Sequence, residues 1–456
     1  MKTYEGARAE VLSVEDQLRR SVLSCLLWED TFYESGQKIE DRIKTLASQC
    51  DSEILAYLAM EARGKYKLRS VPLILANELA SRGGSIVSKT LENIIQRPDE
   101  IVRFMSMYWE KGKSPIAKQV KKGLSSAFNK FNEYQFAKWN RDGKIKLRDI
   151  MFMVHPKPNT VEQGKIFKKL AENDLSVADT WEVGLSSAKT TEEKKQVWER
   201  LLLQKKLGGL ALLKNMRGMI EANVNRSLII DGLKNIKVDR ILPYRFITAD
   251  KFVPEYEEYL EGAMYRCLQG RNKIEGKTVL LVDVSGSMGD YLSVAKMGKG
   301  IRDMMTTRLD AAKGLAILLK FLCEDVSIYT FSDDVVHIPD ASGFRLGKKI
   351  DKSQSHNGTY LGKAITKVNK LEKEYDRIII ITDEQSHDNI IENIASKGYI
   401  MNVAPYHHGI EHDKKWTRIS GFSEAVIDWM IEHEKPLVGW SKELDDAFSF
   451  DWSVIK

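Results

Sequence analysis

The sequence has no apolar run approaching the roughly 20 residues that a helix needs to cross a bilayer, so a membrane-spanning protein is not expected. Its first twenty residues, MKTYEGARAEVLSVEDQLRR, are too polar for a secretory leader, and an intracellular, cytoplasmic protein is expected. Cysteine is scarce. Cys25, Cys50, Cys267 and Cys323 lack the paired spacing of zinc or redox motifs and read as core or incidental thiols. No base and nucleophile pair accompanies the Asp-x-Ser-x-Ser loop at Asp283, which argues against an enzyme. An apolar content of 43% and a charged content of 29% are those of a globular protein, and 456 residues suffice for two or more cored domains.

From Val11 to Gln269 β-branched runs are few and the apolar period is helical. Leu12, Val14, Leu18, Val22, Leu23 and Leu26 mark one apolar face, and Ile54, Leu55, Leu58, Ala59 and Ala62 another. Breaks fall at Glu34-Ser35-Gly36, Arg82-Gly83-Gly84, Arg97-Pro98, Arg141-Asp142-Gly143, Pro156 to Pro158 and Gly208-Gly209. The pieces between them have the length of stacked helix pairs, loosely HEAT-like because no strict repeat is present. Residues 1–270 are therefore expected to form an α-helical repeat module.

Beyond Gly270 strands and helices alternate, which indicates a doubly wound sheet over residues 271–456. Strands are expected at Lys277 to Val282, Val326 to Phe331, Val335 to Ile338, Arg377 to Ile381 and Tyr399 to Pro405. Helices are expected at Ala311 to Leu322, Leu361 to Tyr375, Asp388 to Ser396 and Ser423 to His433. The uninterrupted apolar run Val279 to Val282 reads as a strand covered on both faces, delivering an Asp-x-Ser-x-Ser loop at its carboxyl end, where open α/β sheets hold ligands. Asp283, Ser285 and Ser287 would meet there as hard oxygen donors suited to Mg²⁺. Two later segments supply what the loop lacks: Asn357-Gly358-Thr359-Tyr360 ahead of a helix, and Ile378 to Ile381 leading through Thr382 to Asp383.

Other readings of this region compete. A capped turn would use Ser285 or Ser287 for backbone groups. A phosphoaspartate enzyme would want a second carboxylate near Ser285, and Gly358 to Ala364 is one residue short of a phosphate-binding loop. The polar stretch from Met288 to Arg308, with Lys296, Lys299, Arg302 and Arg308, is either an anion-contacting lid or a surface insertion. His407, His408 and His412 lack cysteine or carboxylate partners at ligand spacing.

Net charge is +6, from 70 basic and 64 acidic residues, but it is unevenly placed. Between Lys111 and Lys157 twelve Lys/Arg stand against three acids, a local +9 that leaves the rest of the chain at −3. Such a patch is the footprint of a polyanion site. Lys118, Lys121 and Lys122 recur at helical spacing and gather on one face, where phosphate contacts would give salt-sensitive, largely sequence-independent binding. Trp109, Phe128, Phe131, Tyr134, Phe136 and Trp139 are interleaved with the charges and are candidates either for base stacking or for the core.

Two resemblances draw these readings together. The Asp283 loop, the Thr359 segment and Asp383 are the pattern of a metal-ion-dependent adhesion site, and the chain from about Lys277 resembles a von Willebrand factor type A domain. Lys118 to Leu124, Phe136-Ala137-Lys138-Trp139, Lys146 to Ile150, His155-Pro156-Lys157-Pro158, Leu210 to Met216 and Ile241 to Phe246 resemble the TROVE module. That module precedes a type A domain in the Ro autoantigen family. The resemblance implies Ser285, Ser287 and Thr359 as hydroxyl ligands of Mg²⁺ or another divalent cation, with Asp283 and Asp383 acting directly or through water. One coordination position would be left for an acidic partner, such as an exoribonuclease complex. It also implies a ring of helical repeats with a basic hole that takes single-stranded 3′ ends of misfolded noncoding RNAs, and an outer surface for structured Y-type RNA. Carried onto this chain, it places Lys118, Lys121, Lys122, Lys138, Arg148, His155 and Lys157 on the RNA-binding surface. Ala127, Leu147 and Phe152 depart from the residues of animal members. A monomeric ribonucleoprotein component is the expectation. A protein-interaction scaffold with an incidental basic face is the alternative, and a Mg²⁺-dependent nuclease is a third reading.

Overall fold

Glycine and proline punctuation sets where the helices begin and end. In a computed structural model the described residues are 2–4, 6–8, 12–23, 36–140, 143–176, 179–238, 241, 244–267, 269, 273–289, 307–392, 394–406, 408–412, 415–421, 426–427, 430–431 and 434. By packing the chain divides into two units, one of Met1–Asp41 with Gly184–Lys435 and one of Arg42–Val183 with Pro436–Lys456.

In the second unit the helices Ser52–Gly64, Val71–Arg82, Ile86–Ile94, Pro98–Tyr108, Lys118–Phe128, Glu133–Trp139, Leu147–Val154 and Val161–Glu172 pack on near neighbours in the sequence. Most bury one apolar face, as stacked helical repeats must, while Val71–Arg82 is enclosed all round from Val71 to Ala76. The helices Ile86–Ile94 and Lys118–Phe128 approach closely because residue 123 is glycine: a Cβ there would lie 2.8 Å from the Leu91 Cβ and from the Ser88 carbonyl. Asn132 and Gln135 close a reciprocal capping box that starts the helix Glu133–Trp139. Arg63 and Glu100, both buried, pair at 2.7 Å between helices.

The first unit contains the helices Thr191–Leu203, Gly209–Glu221, Arg226–Lys234, Tyr244–Phe252 and Glu257–Arg266, and a six-stranded sheet. Its strands are β1 (Ile274–Asp283), β2 (Cys323–Phe331), β3 (Val335–His337), β4 (Arg377–Thr382), β5 (Lys397–Asn402) and β6 (Trp416–Ser420). Their order is β3-β2-β1-β4-β5-β6, all parallel except the β2–β3 hairpin. Val279 and Leu281 of β1 and Ile378 and Ile380 of β4 share one buried face with Leu361, Ile365 and Val368 of the helix Leu361–Leu371. The alternate face of β1 and β2 lies toward the helix Arg308–Leu322, so the strands are buried on both sides. The chain leaves β1 toward β2 on one side and later returns to β4 on the other. The switch point of this doubly wound sheet is therefore at the carboxyl ends of β1 and β4.

The α plus α/β class and the doubly wound sheet agree with the sequence reading. The change from helix to strand falls between Arg266 and Ile274, near residue 270, but packing cuts the helical part near residue 183 and joins the later helices to the sheet. Three details differ from expectation. Residues 388–392 and 394–396 are not helical: Asp388 instead accepts the Gly362 and Lys363 amides at 2.9 and 2.7 Å, and Asn389 accepts the Arg8 amide at 2.8 Å. Strand β6 and the helix Gly343–Asp351 were not foreseen. Lys296, Lys299, Arg302 and most of the expected helix at 423–433 lie outside the described residues.

Candidate functional site

Asp283 ends β1 and Thr382-Asp383 ends β4, and adjacent parallel strands in register bring them side by side. The Thr382 hydroxyl donates to Asp283 Oδ2 at 2.5 Å, and the Ser285 amide donates to Asp283 Oδ1 at 2.9 Å. Ser285 Oγ lies 3.4 Å from Ser287 Oγ. Thr359 reaches the same place by a third route. The Gly286 amide donates to the Asn357 carbonyl at 3.0 Å, and the Ser386 hydroxyl donates to the Thr359 carbonyl at 3.2 Å. The loop carrying Thr359 is thereby bonded to the loops after both β1 and β4. Ser332, after β2, fixes it from below by donating to the Gly358 carbonyl at 2.8 Å.

All five expected ligand residues, Asp283, Ser285, Ser287, Thr359 and Asp383, are buried, with 0–5% of each exposed. Burial, followed by the charge of Asp383, pushes the Asp283 carboxyl up to about 7. Burial also raises the Asp383 carboxyl, against the Ser287 hydroxyl and the charge of Arg308. Asp383 Oδ1 accepts the Gln385 amide at 3.1 Å, while Asp383 Oδ2 is buried with no hydrogen-bond partner. A pair of buried carboxylates with an unsatisfied oxygen, beside two serine hydroxyls, is a donor set that fits a hard divalent cation. Among the described residues no three His, Cys, Asp or Glu side chains converge as a metal-holding group. A cation here would therefore rely on the hydroxyls of Ser285, Ser287 and Thr359 together with Asp283 and Asp383.

Behind the site lies a charged network that the sequence reading did not identify. Glu384 follows Asp383 in a left-handed conformation, φ 59°, a strained backbone for a non-glycine residue. Its buried carboxylate pairs with Arg20 and, at 2.8 Å, with Arg418. Burial pushes that carboxyl upward, but the two arginines outweigh it and hold Glu384 below its usual range. Gly409 leaves the room: a Cβ there would run into the Glu384 carboxylate and the Arg20 guanidinium. Arg20 belongs to the helix Val14–Leu23, so the amino-terminal segment is anchored beside the candidate site. Thr3 and Ala7 add bonds to the Ser386 carbonyl at 2.8 and 3.0 Å, and the Tyr4 amide donates to Gln385 at 2.9 Å. Arg308 is not a surface residue: it is fully buried and donates to the Tyr406 hydroxyl at 2.9 Å. His408 accepts the Gln385 side chain through its carbonyl at 3.0 Å, and His407 lies outside the described residues.

The basic residues lie in the second packing unit. The helix Lys118–Phe128 buries Val120, Leu124, Ala127 and Phe128 and leaves Lys118, Lys121 and Lys122 exposed together on the opposite face. His155 and Lys157 are exposed, and Lys138 and Arg148 are half-buried. His155 also terminates the helix Leu147–Val154 in a left-handed conformation, its amide donating to the Met151 carbonyl at 2.9 Å. Phe128, Phe131 and Phe136 pack on one another and on Phe167 in the core, and Trp109 is buried with its indole donating to the Ser114 carbonyl. These four aromatics are therefore core residues rather than base platforms. Tyr134 is 46% exposed, and Trp139 carries the Arg97 guanidinium 3.6 Å above its ring. Of the departures from animal members, Ala127 and Leu147 are core and Phe152 is exposed.

Residues 171–284 match the TROVE domain. The matched stretch ends just past Asp283 and does not include the basic segment 111–157. The fold is similar to that in the crystal structure of the RO (RSR) protein of Deinococcus radiodurans, with a TM-score of 0.59 and 15% sequence identity. The alignment covers 92% of this chain and 98% of that one. No curated protein sequence matches the chain.

Proposed function

We propose that this chain, a Ro-family protein by its TROVE domain and its fold, is an RNA-binding protein that captures single-stranded 3′ ends of misfolded or structured noncoding RNAs. The observation that carries the reading is a Ro fold over nine-tenths of the chain, combined with a helix that presents Lys118, Lys121 and Lys122 together to solvent. Lys138, Arg148, His155 and Lys157 extend the same basic segment, and a structured RNA of the Y type would be held there by phosphate contacts. No helix among the described residues is long and apolar enough to cross a membrane.

The Asp283 site has a separate part in this reading. It would hold Mg²⁺ through Asp283, Ser285, Ser287, Thr359 and Asp383. The bound ion would supply a Lewis-acidic position for a carboxylate of a protein partner, such as an exoribonuclease complex, in RNA quality control or processing. The orphaned Asp383 Oδ2 favours a second reading as well, a scaffold whose main role is that acidic partner. The deciding experiment is a salt-titrated affinity comparison between a stem-loop RNA with a single-stranded 3′ tail and the same stem with a blunt end. Tighter binding of the tailed RNA, a steep salt slope and loss of binding in a Lys118→Ala, Lys121→Ala, Lys122→Ala variant are expected. Equal, weak binding that ignores the substitutions would leave only the scaffold.

A further inference from the structure

Between the helices Tyr244–Phe252, Arg308–Leu322 and Gly343–Asp351 is a cavity of about 220 Å³, lined by Ile247, Pro254, Ile317 and Phe344 on its apolar side. Its polar side is Asp250, Lys251, Lys313, Lys348 and Asp351. The ammonium groups are already engaged. Lys251 donates to Asp310 at 2.7 Å, Lys313 to Asp351 at 2.8 Å, and Lys348 to Glu257 at 2.7 Å. Asp250 has no such partner. It is 7% exposed, its Oδ1 is buried without a hydrogen bond, and the Lys348 ammonium is 3.9 Å away. The lining itself carries Asp250, Asp351 and the three lysines, but each lysine is bonded to a carboxylate other than Asp250 (Asp310, Asp351 or Glu257), so Asp250 is the carboxylate left without a close cation. Burial raises its carboxyl to about 6, so the ion lacks compensation near neutral pH.

We propose that this cavity binds a small organic cation, a primary or secondary amine with a short apolar body, whose ammonium pairs with Asp250 while the body lies against Ile247, Ile317 and Phe344. An ammonium supplies both the missing charge and the missing donor. A hydrated inorganic cation would leave the apolar wall without a partner. Size agrees, since a cavity of roughly 150 Å³ already holds a benzene ring. The helix bearing Asp250 lies within the TROVE-matched residues and the other two belong to the α/β part, so an occupant would brace that junction.

The test is calorimetric titration of the full chain with benzylamine and 1,5-diaminopentane, against benzyl alcohol as the neutral isostere, on the wild type and on Asp250→Asn. Millimolar or tighter binding of at least one amine is expected, weakened about ten-fold or more for the alcohol and for the variant, because both lose the charge-assisted bond. Amine and alcohol binding equally would overturn the proposal by showing an apolar site indifferent to charge, and binding of neither would overturn it and leave water as the cavity's occupant. That comparison needs only the wild type. Amine binding unchanged in a folded Asp250→Asn protein would overturn it too.

Discussion

The two packing units handle charge in opposite ways. In the second unit Lys118, Lys121 and Lys122 come from one turn and a half of a single helix and stand in water. In the first, Arg20, Arg308, Asp283, Asp383 and Glu384 are buried, and they come from four places in the chain, the extremes 364 residues apart. The exposed set costs little to assemble and gives long-range, screened attraction to any polyanion. The buried set demands desolvation of every charge, and it persists only because each group is paired, hydrogen-bonded or poised for a cation. A breadth-tolerant surface and a geometry-specific site are thus both built from charged side chains, and burial separates their behaviour.

The contrast can be broken most forcefully at the buried end. Arg20→Ala strips Glu384 of one of its two guanidinium partners and should destabilise the protein by about 3 kcal/mol or more, read as a lowered urea midpoint. An unchanged midpoint would mean that the amino-terminal helix is not held through this pair. Mg²⁺ at about a hundred-fold over its dissociation constant should raise stability by up to roughly 2.7 kcal/mol, seen as a higher melting temperature that Asp383→Asn abolishes. The Asp283→Ala protein should still bind tailed RNA with wild-type affinity, because the lysine face and the carboxylates belong to different packing units.

At the exposed end the triple lysine variant should lose about ten- to a hundred-fold in RNA affinity at low salt and flatten the log–log salt slope by about 2, with little change in melting temperature. A large drop in stability with no change in slope would instead assign those lysines to the fold. The smallest effect expected is at Asp250, where burial raises the carboxyl to about 6. Because the folded value lies above the unfolded one, the folded state favours the proton. The cost is absent below about pH 4, grows as pH rises through 6 and is complete above it. Asp250→Asn should therefore stabilise the protein by roughly 1 kcal/mol at pH 7.5, after allowance for solvent screening. That gain should vanish near pH 4 in thermal melts.

The fold was legible where the signal was local. Gly83-Gly84, Pro98 and Gly209 mark real helix boundaries, and the apolar runs before Asp283 and Asp383 are the central strands β1 and β4. Strand β6 was not legible, because WTRIS is five residues long and half-buried at the sheet edge, too short for an alternation to register. Residues 388–396 carry helical spacing, yet Asp388 and Asn389 spend their side chains capping the helix Leu361–Leu371 and holding the Arg8 amide. The interleaved aromatics show the same limit: Phe128 and Tyr134 are neighbours in sequence, but only packing decides that one is core and the other exposed.

By itself the sequence determined the helical module ahead of a doubly wound sheet, the lysine face of Lys118–Phe128, and the order in which Asp283, Thr359 and Asp383 arrive at strand and helix ends. These follow from periodicity and local turn chemistry, which act over a few residues. The tertiary structure alone decided that Arg20 and Arg418 meet Glu384, that Arg308 is buried at Tyr406, and that Asp250 faces a cavity whose lysines are bonded to other carboxylates. Those outcomes depend on which distant groups share a desolvated space, and the cost of burying a charge is set by that company rather than by its neighbours in the chain.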